Sequence, residues 1–388
     1  VAEPEIKKKI EKNRTGNMDR AFLTLILILV SLGLVMVFSA SYANAFYFKG
    51  NSMHFITRQF WFAVGGVILM LGISRFNYRW LRPLALPIYA ATVFLLIAVL
   101  FMPPLNNARR WIIVGPVNFQ PSEIAKFAVV VLFATIVAAN GPKKMQTIRY
   151  GVAPFVLALI PVVYLMLLEP HLSGTVLILA IGLTMMFIGG TDVRWFIAGG
   201  VAATGGIAAV IFNPSLLSVL AQYAGERITV WLDPFSDPLN AGFQTVQSLY
   251  AIGSGGLLGA GIGASRQKYL YLPEPHNDFI FAIVSEELGF VGALIIIFLF
   301  ILLIWRGIYI AAHCPERFGS LVAAGLIFQV GLQAILNIAV VTNTVPNTGI
   351  SLPFFSYGGT SLLMLLCEMG VILSISRVTT AENGEKTS

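Results

Sequence analysis

Between Tyr271 and Gly289 the chain reads YLPEPHNDFIFAIVSEELG, which sets Asp278 against a long apolar run. Glu274 stands shortly before it, and Glu286 and Glu287 follow inside the run. A carboxylate in that place has two readings. It can cap the helix that follows, where the positive end of the dipole keeps it ionised and makes it a poor base. Alternatively, partial burial at the lip of a membrane raises its pKa towards the range in which a carboxylate takes protons from hydroxyl groups. Residue type and spacing leave both open.

Two other stretches carry groups suited to the same chemistry. RRWIIVGPVNFQPSEIAK supplies Arg109, Arg110 and Trp111, then Gln120, Ser122, Glu123 and Lys126. Adjacent guanidinium groups suit phosphate oxygens, which they grip with paired N–H donors. Glu123 and Lys126 share one helical face, so they form either a self-neutralising pair at a membrane edge or part of a site. Trp111 reads equally as an anchor in the interfacial aromatic belt. Further on, GERITVWLDPFSDPLNAGFQTVQSLYAIGSGG carries Arg227, Asp233 and Asp237. Turn formation explains both aspartates, since Asp bonds its own downstream backbone and proline fixes φ. Arg266 and Lys268 then precede the Asp278 segment.

What must hold these residues is a membrane domain. Of the 388 residues, 57% are hydrophobic and only 11% charged, with a mean hydropathy of +0.82. A soluble domain carries about 25% charged residues, so an ordinary water-soluble fold is excluded. Two cysteines, Cys314 and Cys367, give neither a disulfide framework nor metal spacing. Apolar runs of about 20 residues predict ten spans, near 21–42, 57–74, 83–102, 122–140, 150–168, 173–190, 194–213, 278–304, 318–341 and 354–376.

The Lys/Arg bias sets the orientation. With the N-terminus in the cytoplasm, the inner connections hold Arg75, Arg79, Arg82, Lys143, Lys144, Arg149, Arg306 and Arg317, besides the basic N-terminal tail. The outer ones hold Lys49, Arg109, Arg110, Arg227, Arg266 and Lys268. Both termini are therefore expected inside. The expected organisation is a basic cytoplasmic tail, 1–20, a polytopic domain, 21–377, and a short cytoplasmic tail, 378–388. The long connection 214–277, between the seventh and eighth spans, lies outside the cell in this scheme. It holds a candidate amphipathic surface helix, LSVLAQYAGERITVWLDPF, and a glycine-rich stretch, GSGGLLGAGIGAS. No strand precedes those glycines, so they read as a turn-permitting loop and not as a dinucleotide fingerprint. Nothing in the chain suggests a nucleic-acid partner.

At these motifs the sequence resembles the SEDS family (shape, elongation, division and sporulation) of the FtsW and RodA type. The residues that carry the likeness are the Arg227, Asp278 and RRWIIVGPVNFQPSEIAK stretches and NTGISLPFFSYGGTSL, in order over about 20–377. VMVFSASYANA leans towards the division or sporulation branch. The resemblance implies an all-α integral membrane protein of about ten helices that polymerises lipid II into peptidoglycan strands on the outer face of the cytoplasmic membrane. It also implies a class B penicillin-binding protein as partner and a stimulating divalent cation, Mg2+ or Mn2+. The family's essential aspartate falls on Asp278, its tryptophan on Trp111, and Glu123, Lys126 and Arg227 match further motif positions. At LEPHLSGT the chain departs from the pattern, with His171 where relatives often carry aspartate; His171 is expected to be a hydrogen-bonded turn residue.

The chemistry such an enzyme needs agrees with the residues. A sugar hydroxyl must lose a proton while it attacks an anomeric carbon bearing a lipid diphosphate. Asp278 is the expected base, positioned by Glu274 or His276 and alternatively a ligand of the cation. Arg109, Arg110, Lys126, Arg227 and Lys268 are candidate substrate contacts, with Trp111 and Glu123 beside them. Two rivals remain: a flippase carrying lipid II across the membrane, and a scaffold for a cross-linking partner. A flippase needs polar groups spread through the bilayer depth, whereas these cluster on the predicted outer side.

Overall fold

The computed structural model describes residues 16–104, 109–115, 117–169, 171–211 and 225–386. Most of the expected N-terminal tail, the first part of the long connection with the start of its amphipathic helix, and the last two residues lie outside the described residues. Each of the ten expected spans coincides with a helix. In chain order these are α1 (Arg20–Lys49), α2 (His54–Ile73), α3 (Leu81–Val99) and α4 (Pro121–Ala139). A hairpin of β1 (Ile112–Val114) and β2 (Val117–Phe119) leads into α4. Short turns α5 (Pro142–Met145) and α6 (Ile148–Gly151) precede α7 (Ala153–Leu168), α8 (Leu172–Ile188) and α9 (Val193–Ile211). The long connection contributes α10 (Glu226–Leu232) and α11 (Phe243–Gly255), and α12 (Ile280–Ala312), α13 (Arg317–Val341) and α14 (Gly359–Lys386) complete the bundle.

Among the described residues eight helical segments, with α6 and α7 counted together, are long and apolar enough to cross a membrane, while α8 is a shorter apolar helix of 17 residues. Burial separates centre from rim. Within its apolar window α14 is 72% buried and α4 and α13 are 61% buried, against 22% for α2 and α3. The central three therefore face protein, and the outer helices turn most of their apolar surface to lipid. α2 packs on α14, α3 on α4, and α12 on α13.

Local chemistry explains where the helices begin and end. The Asp19 side chain accepts from the Phe22 amide 2.9 Å away and caps α1, which Gly50 closes at φ 66°. Pro121 opens α4, where its missing N–H costs nothing. The last expected span is shorter than its apolar run suggests. Phe354–Gly358 is not helical, and Phe354 itself has φ 65°, so LPFFSYG forms a strap before α14 instead of its first turn.

One end of the bundle is laced together by charge. Arg306 pairs with Asp19 at 2.8 Å, Arg79 pairs with Glu316 at 2.7 Å, and Arg317 donates to the Gly189 carbonyl at 3.1 Å. These residues belong to the connections expected on the cytoplasmic side, and Asp278 lies at the other end.

The largest irregularity is in α12. Gly289 has φ 70° and ψ −171°, which breaks the helix just below Asp278. In lipid, freed backbone groups must find partners within the protein. Here the glycine-rich stretch supplies them. Ala260 and Gly261 donate to the carbonyls of Glu286 and Glu287, at 2.9 and 3.0 Å, and the amides of Phe290 and Val291 donate to Gly256 and Leu257, at 2.9 and 3.1 Å. A side chain on Gly289 would strike the Gly259 amide nitrogen. We expect Gly289→Ala to lower stability by about 1–3 kcal/mol from the strained backbone alone, and by more once the collision is added. Thermal unfolding of the purified protein checks this, and an unchanged melting temperature contradicts it.

Candidate functional site

Asp278 precedes Phe279, which occupies the N-cap position of α12 without a side-chain cap. The capping role left open by the sequence is therefore not the one adopted. Backbone contacts hold Asp278 instead. Asn337 Nδ2, from α13, donates to the Asp278 carbonyl at 2.7 Å and to the Ile350 carbonyl at 2.6 Å. The strap binds the same segment, with the Tyr357 amide donating to the His276 carbonyl and Ser356 Oγ to the Asn277 carbonyl, both at 2.8 Å. Gly349, at φ 70°, comes so close that a Cβ there would sit 3.2 Å from Asp278 Oδ2.

Among the described residues none donates a hydrogen bond to the Asp278 carboxylate. Burial pushes its pKa up to about 6, reinforced by Glu274 and opposed by Arg110. Glu274 is 58% exposed, so solvent screens its influence and burial dominates. His276 is wedged between the rings of Phe55 and Tyr357, and burial holds it down at about 4. It is neutral at pH 7, so its 3.6 Å approach to Glu274 is not an ion pair.

The carboxylate opens onto a cavity of about 520 Å³. Arg110, Trp111, Glu123 and Lys126 line it together with Asp278, so five of the residues singled out from the sequence meet there. Lys126 reaches Glu123 at 3.0 Å and Gln333 at 3.1 Å, and Gln333 in turn donates to Ser351 in the strap at 3.1 Å. The ion pair thus neutralises itself and also forms part of the cavity wall. Deeper still, Glu368 accepts from Gln329 at 3.0 Å. It lies nine residues into α14, at a depth of about 13 Å.

Other expected residues do not join this wall. Lys268 is buried in an ion pair with Glu287 at 2.9 Å and donates to Ser39 at 3.1 Å, so it is a structural cation and not a substrate contact. Arg109 donates to the Leu100 carbonyl at 2.9 Å and stands exposed, while Arg227 reaches the Asn347 carbonyl at 3.5 Å; neither lines the cavity. Glu274 and His276 flank Asp278 without lining it.

Conversely, the sequence reading passed over Arg58, Gln329, Gln333 and Glu368, all of which line the cavity. Their signal was present, because a charged or amide side chain inside an apolar span is costly unless it faces an interior site. His171, read as a turn residue, also lines the cavity. Beside it Glu169 is buried, and its carboxyl is pushed up to about 8 by that burial, against the pull of Arg110.

Among the described residues no three His, Cys, Asp or Glu side chains gather into a metal-binding group. The donor set fits a hard cation only as a shared ligand, with Asp278 supplying oxygen and water and substrate supplying the rest.

A helical membrane bundle with a polar cavity roofed by a half-buried carboxylate defines the class. Comparison with known sequences then places the chain: it belongs to the family described as "Cell cycle protein", which groups FtsW, RodA and SpoVE and matches residues 19–381. Stage V sporulation protein E of Bacillus subtilis (strain 168) is 40% identical, over 92% of this chain and 97% of that protein. A probable peptidoglycan glycosyltransferase FtsW of Geobacter sp. (strain M18) is 37% identical, over 94% and 98%. Among solved structures, a chain of a peptidoglycan synthase complex that coordinates polymerization and crosslinking superposes with a TM-score of 0.77 at 30% identity, covering 93% of this chain and 98% of that one. The rod shape determining protein RodA of Thermus thermophilus gives 0.66 at 28% identity, covering 93% and 97%.

The electrostatics yield a direct expectation. Glu274→Gln removes a repulsion and lowers the Asp278 pKa, whereas Arg110→Gln removes an attraction and raises it. The protonated-carboxyl stretch of Asp278, identified by its loss in Asp278→Asn, follows both shifts by infrared spectroscopy. Shifts of the opposite sign contradict the assignment.

Proposed function

We propose that this chain is a membrane peptidoglycan glycosyltransferase that polymerises lipid II into glycan strands on the outer face of the bacterial cytoplasmic membrane. The observation that carries the reading is an unbonded carboxylate facing a cavity whose other walls present Arg58, Arg110 and Lys126. That pairing suits one reaction. The Asp278 carboxylate takes the proton of a sugar hydroxyl as its oxygen attacks the anomeric carbon. The bond from that carbon to the diphosphate breaks, and its electron pair goes to a phosphate oxygen faced by the cations. Attack from the face opposite the diphosphate inverts the carbon and requires no nucleophilic carboxylate.

Asp278 would also hold a divalent cation, Mg2+ or Mn2+, which when bound adds positive charge against the diphosphate. A class B penicillin-binding protein, cross-linking the product, is the proposed partner; the likeness to a synthase complex supports it. In this proposal both termini lie in the cytoplasm. The charged lacing of Arg306, Arg79 and Arg317 at the end remote from Asp278 supports that orientation.

The reach of the cavity to Glu368 revives the transport reading, since polar groups extend further into the bilayer than the sequence suggested. Below Glu368, however, Leu326, Met369, Ile372 and Leu373 are wholly buried and fill the interior. A closed floor favours an enzyme over a conduit.

In detergent, where there is no membrane to cross, the protein with its partner should extend lipid II. Asp278→Asn should reduce the rate by about 10²–10⁴-fold. Only the ionised carboxylate accepts a proton, so the rate should rise with pH through about 6, the Asp278 value. Glu274→Gln should move that rise to lower pH. Wild-type polymerisation by Asp278→Asn, measured by gel analysis of the glycan product, overturns the proposal.

A further inference from the structure

The turn between α7 and α8 sets a histidine in the cavity wall, its ring packed against Gly174. His171 is 8% exposed and precedes the first turn of α8, where its carbonyl accepts from the Thr175 amide at 3.1 Å. Its Nε2 lies 3.5 Å from Gln120 Nε2, on another cavity-lining side chain. Its Nδ1 is buried and has no hydrogen-bond partner among the described residues. Ser173 and Gly174 continue the wall, so the positive end of the α8 dipole faces the same space.

We infer that His171 contacts the diphosphate of the lipid-linked substrate directly and takes up a proton as that group settles between Arg110 and Lys126. The inference rests on the reaction proposed above. In the free protein burial, Arg110 and Lys126 together hold His171 down at about 3, so the ring is uncharged. An anion placed between the two cations cancels their repulsion and, by pairing directly with the ring, offsets the burial penalty that is the largest cause of the depression. The imidazolium then adds an N–H donor against the phosphate oxygen that receives the electron pair as the bond to the sugar breaks. When the diphosphate product departs, the proton returns to water and the ring is neutral again.

Of the other titratable groups in view, Asp278 also gains basicity when Arg110 is engaged, and the test below removes it. Glu169, on the same turn, is held near 8 and is already protonated at pH 7. Asp278 and Glu123 share the cavity with Arg58, but the two groups that bear on His171 are Arg110 and Lys126. The signature is therefore proton uptake on binding, which a purely structural histidine does not produce.

The test is calorimetric titration of the full-length protein in detergent with farnesyl diphosphate and Mg2+ at pH 7, in Tris and in Mops, whose ionisation heats differ, with every variant carried in the Asp278→Asn background because Asp278 itself becomes more basic when a diphosphate engages Arg110. The expected result is a buffer-dependent heat corresponding to uptake of up to one proton. His171→Asn should abolish that dependence and weaken binding by roughly tenfold, the value of one hydrogen bond to a charged group. Glu169→Gln should retain the dependence. Binding with equal heats in both buffers, or uptake that survives His171→Asn and disappears in Glu169→Gln, overturns this inference and leaves the diphosphate reading standing. Absence of binding overturns both. Should His171→Asn not fold, the Asp278→Asn parent and Glu169→Gln in that background still decide the matter.

Discussion

A carboxylate inside a membrane protein needs donors, and three carboxylates close together in this sequence meet that need in opposite ways. Glu286 accepts from the Ser265 hydroxyl and from the Arg266 and Gln267 amides, and Glu287 from Ser39, Lys268 and the Ser265 amide. Both are buried and fully partnered. Asp278, a little over two helical turns earlier, has its carbonyl tied to Asn337 and its side chain left without a donor. Leaving one charge unpartnered where its neighbours are saturated is costly. The contrast singles out Asp278 as the group on which the proposed reaction depends.

That holding is done from two sides. Below, the break at Gly289 admits the loop 256–261, whose amides and carbonyls replace the helix bonds the break removes. Lys268 and Glu287 lock this loop to Ser39 on α1. Above, the strap before α14 closes over His276 and Asn277 through the Tyr357 amide and Ser356 Oγ, and Gln59 on α2 anchors the strap through Gly358 at 3.2 Å and Ser356 at 3.3 Å. Asp278 thus sits between two irregular segments, each fastened to transmembrane helices. Such fastening suits the proposed catalytic role, which demands narrow geometric limits.

The membrane class, the ten helical segments and the Asp278 motif were legible in the sequence because apolar run length and a charge at a run's edge are local signals. What was not legible depended on partners distant in the chain. Lys268 looked like an outward cation until Glu287 and Ser39 were seen to enclose it. Glu368, Gln329 and Gln333 sat unmarked in apolar runs, since periodicity does not say which face of a helix meets a cavity. Phe354 counted as span by hydropathy although its positive φ places it in the strap. His171 could be read as a turn residue because its neighbours Arg110 and Lys126 arrive from other elements.

Arg110 connects the two halves of the cavity. It draws down the pKa of Asp278 on one side and of Glu169 and His171 on the other. For Asp278 this has a consequence when an anion binds. Burial and Glu274 alone would raise the carboxyl further, and Arg110 is what restrains it near 6, so that it is mostly ionised at neutral pH while the site is empty. A diphosphate that engages Arg110 screens that restraint, and the carboxylate becomes more basic at the moment a hydroxyl proton has to be removed. In the proposed reaction, the same charge that would grip the leaving group therefore tempers the proposed base until the leaving group is present. This coupling requires Arg110 and Asp278 to share one poorly solvated cavity, which explains why the base is set at the mouth of the membrane interior and not on an exposed loop.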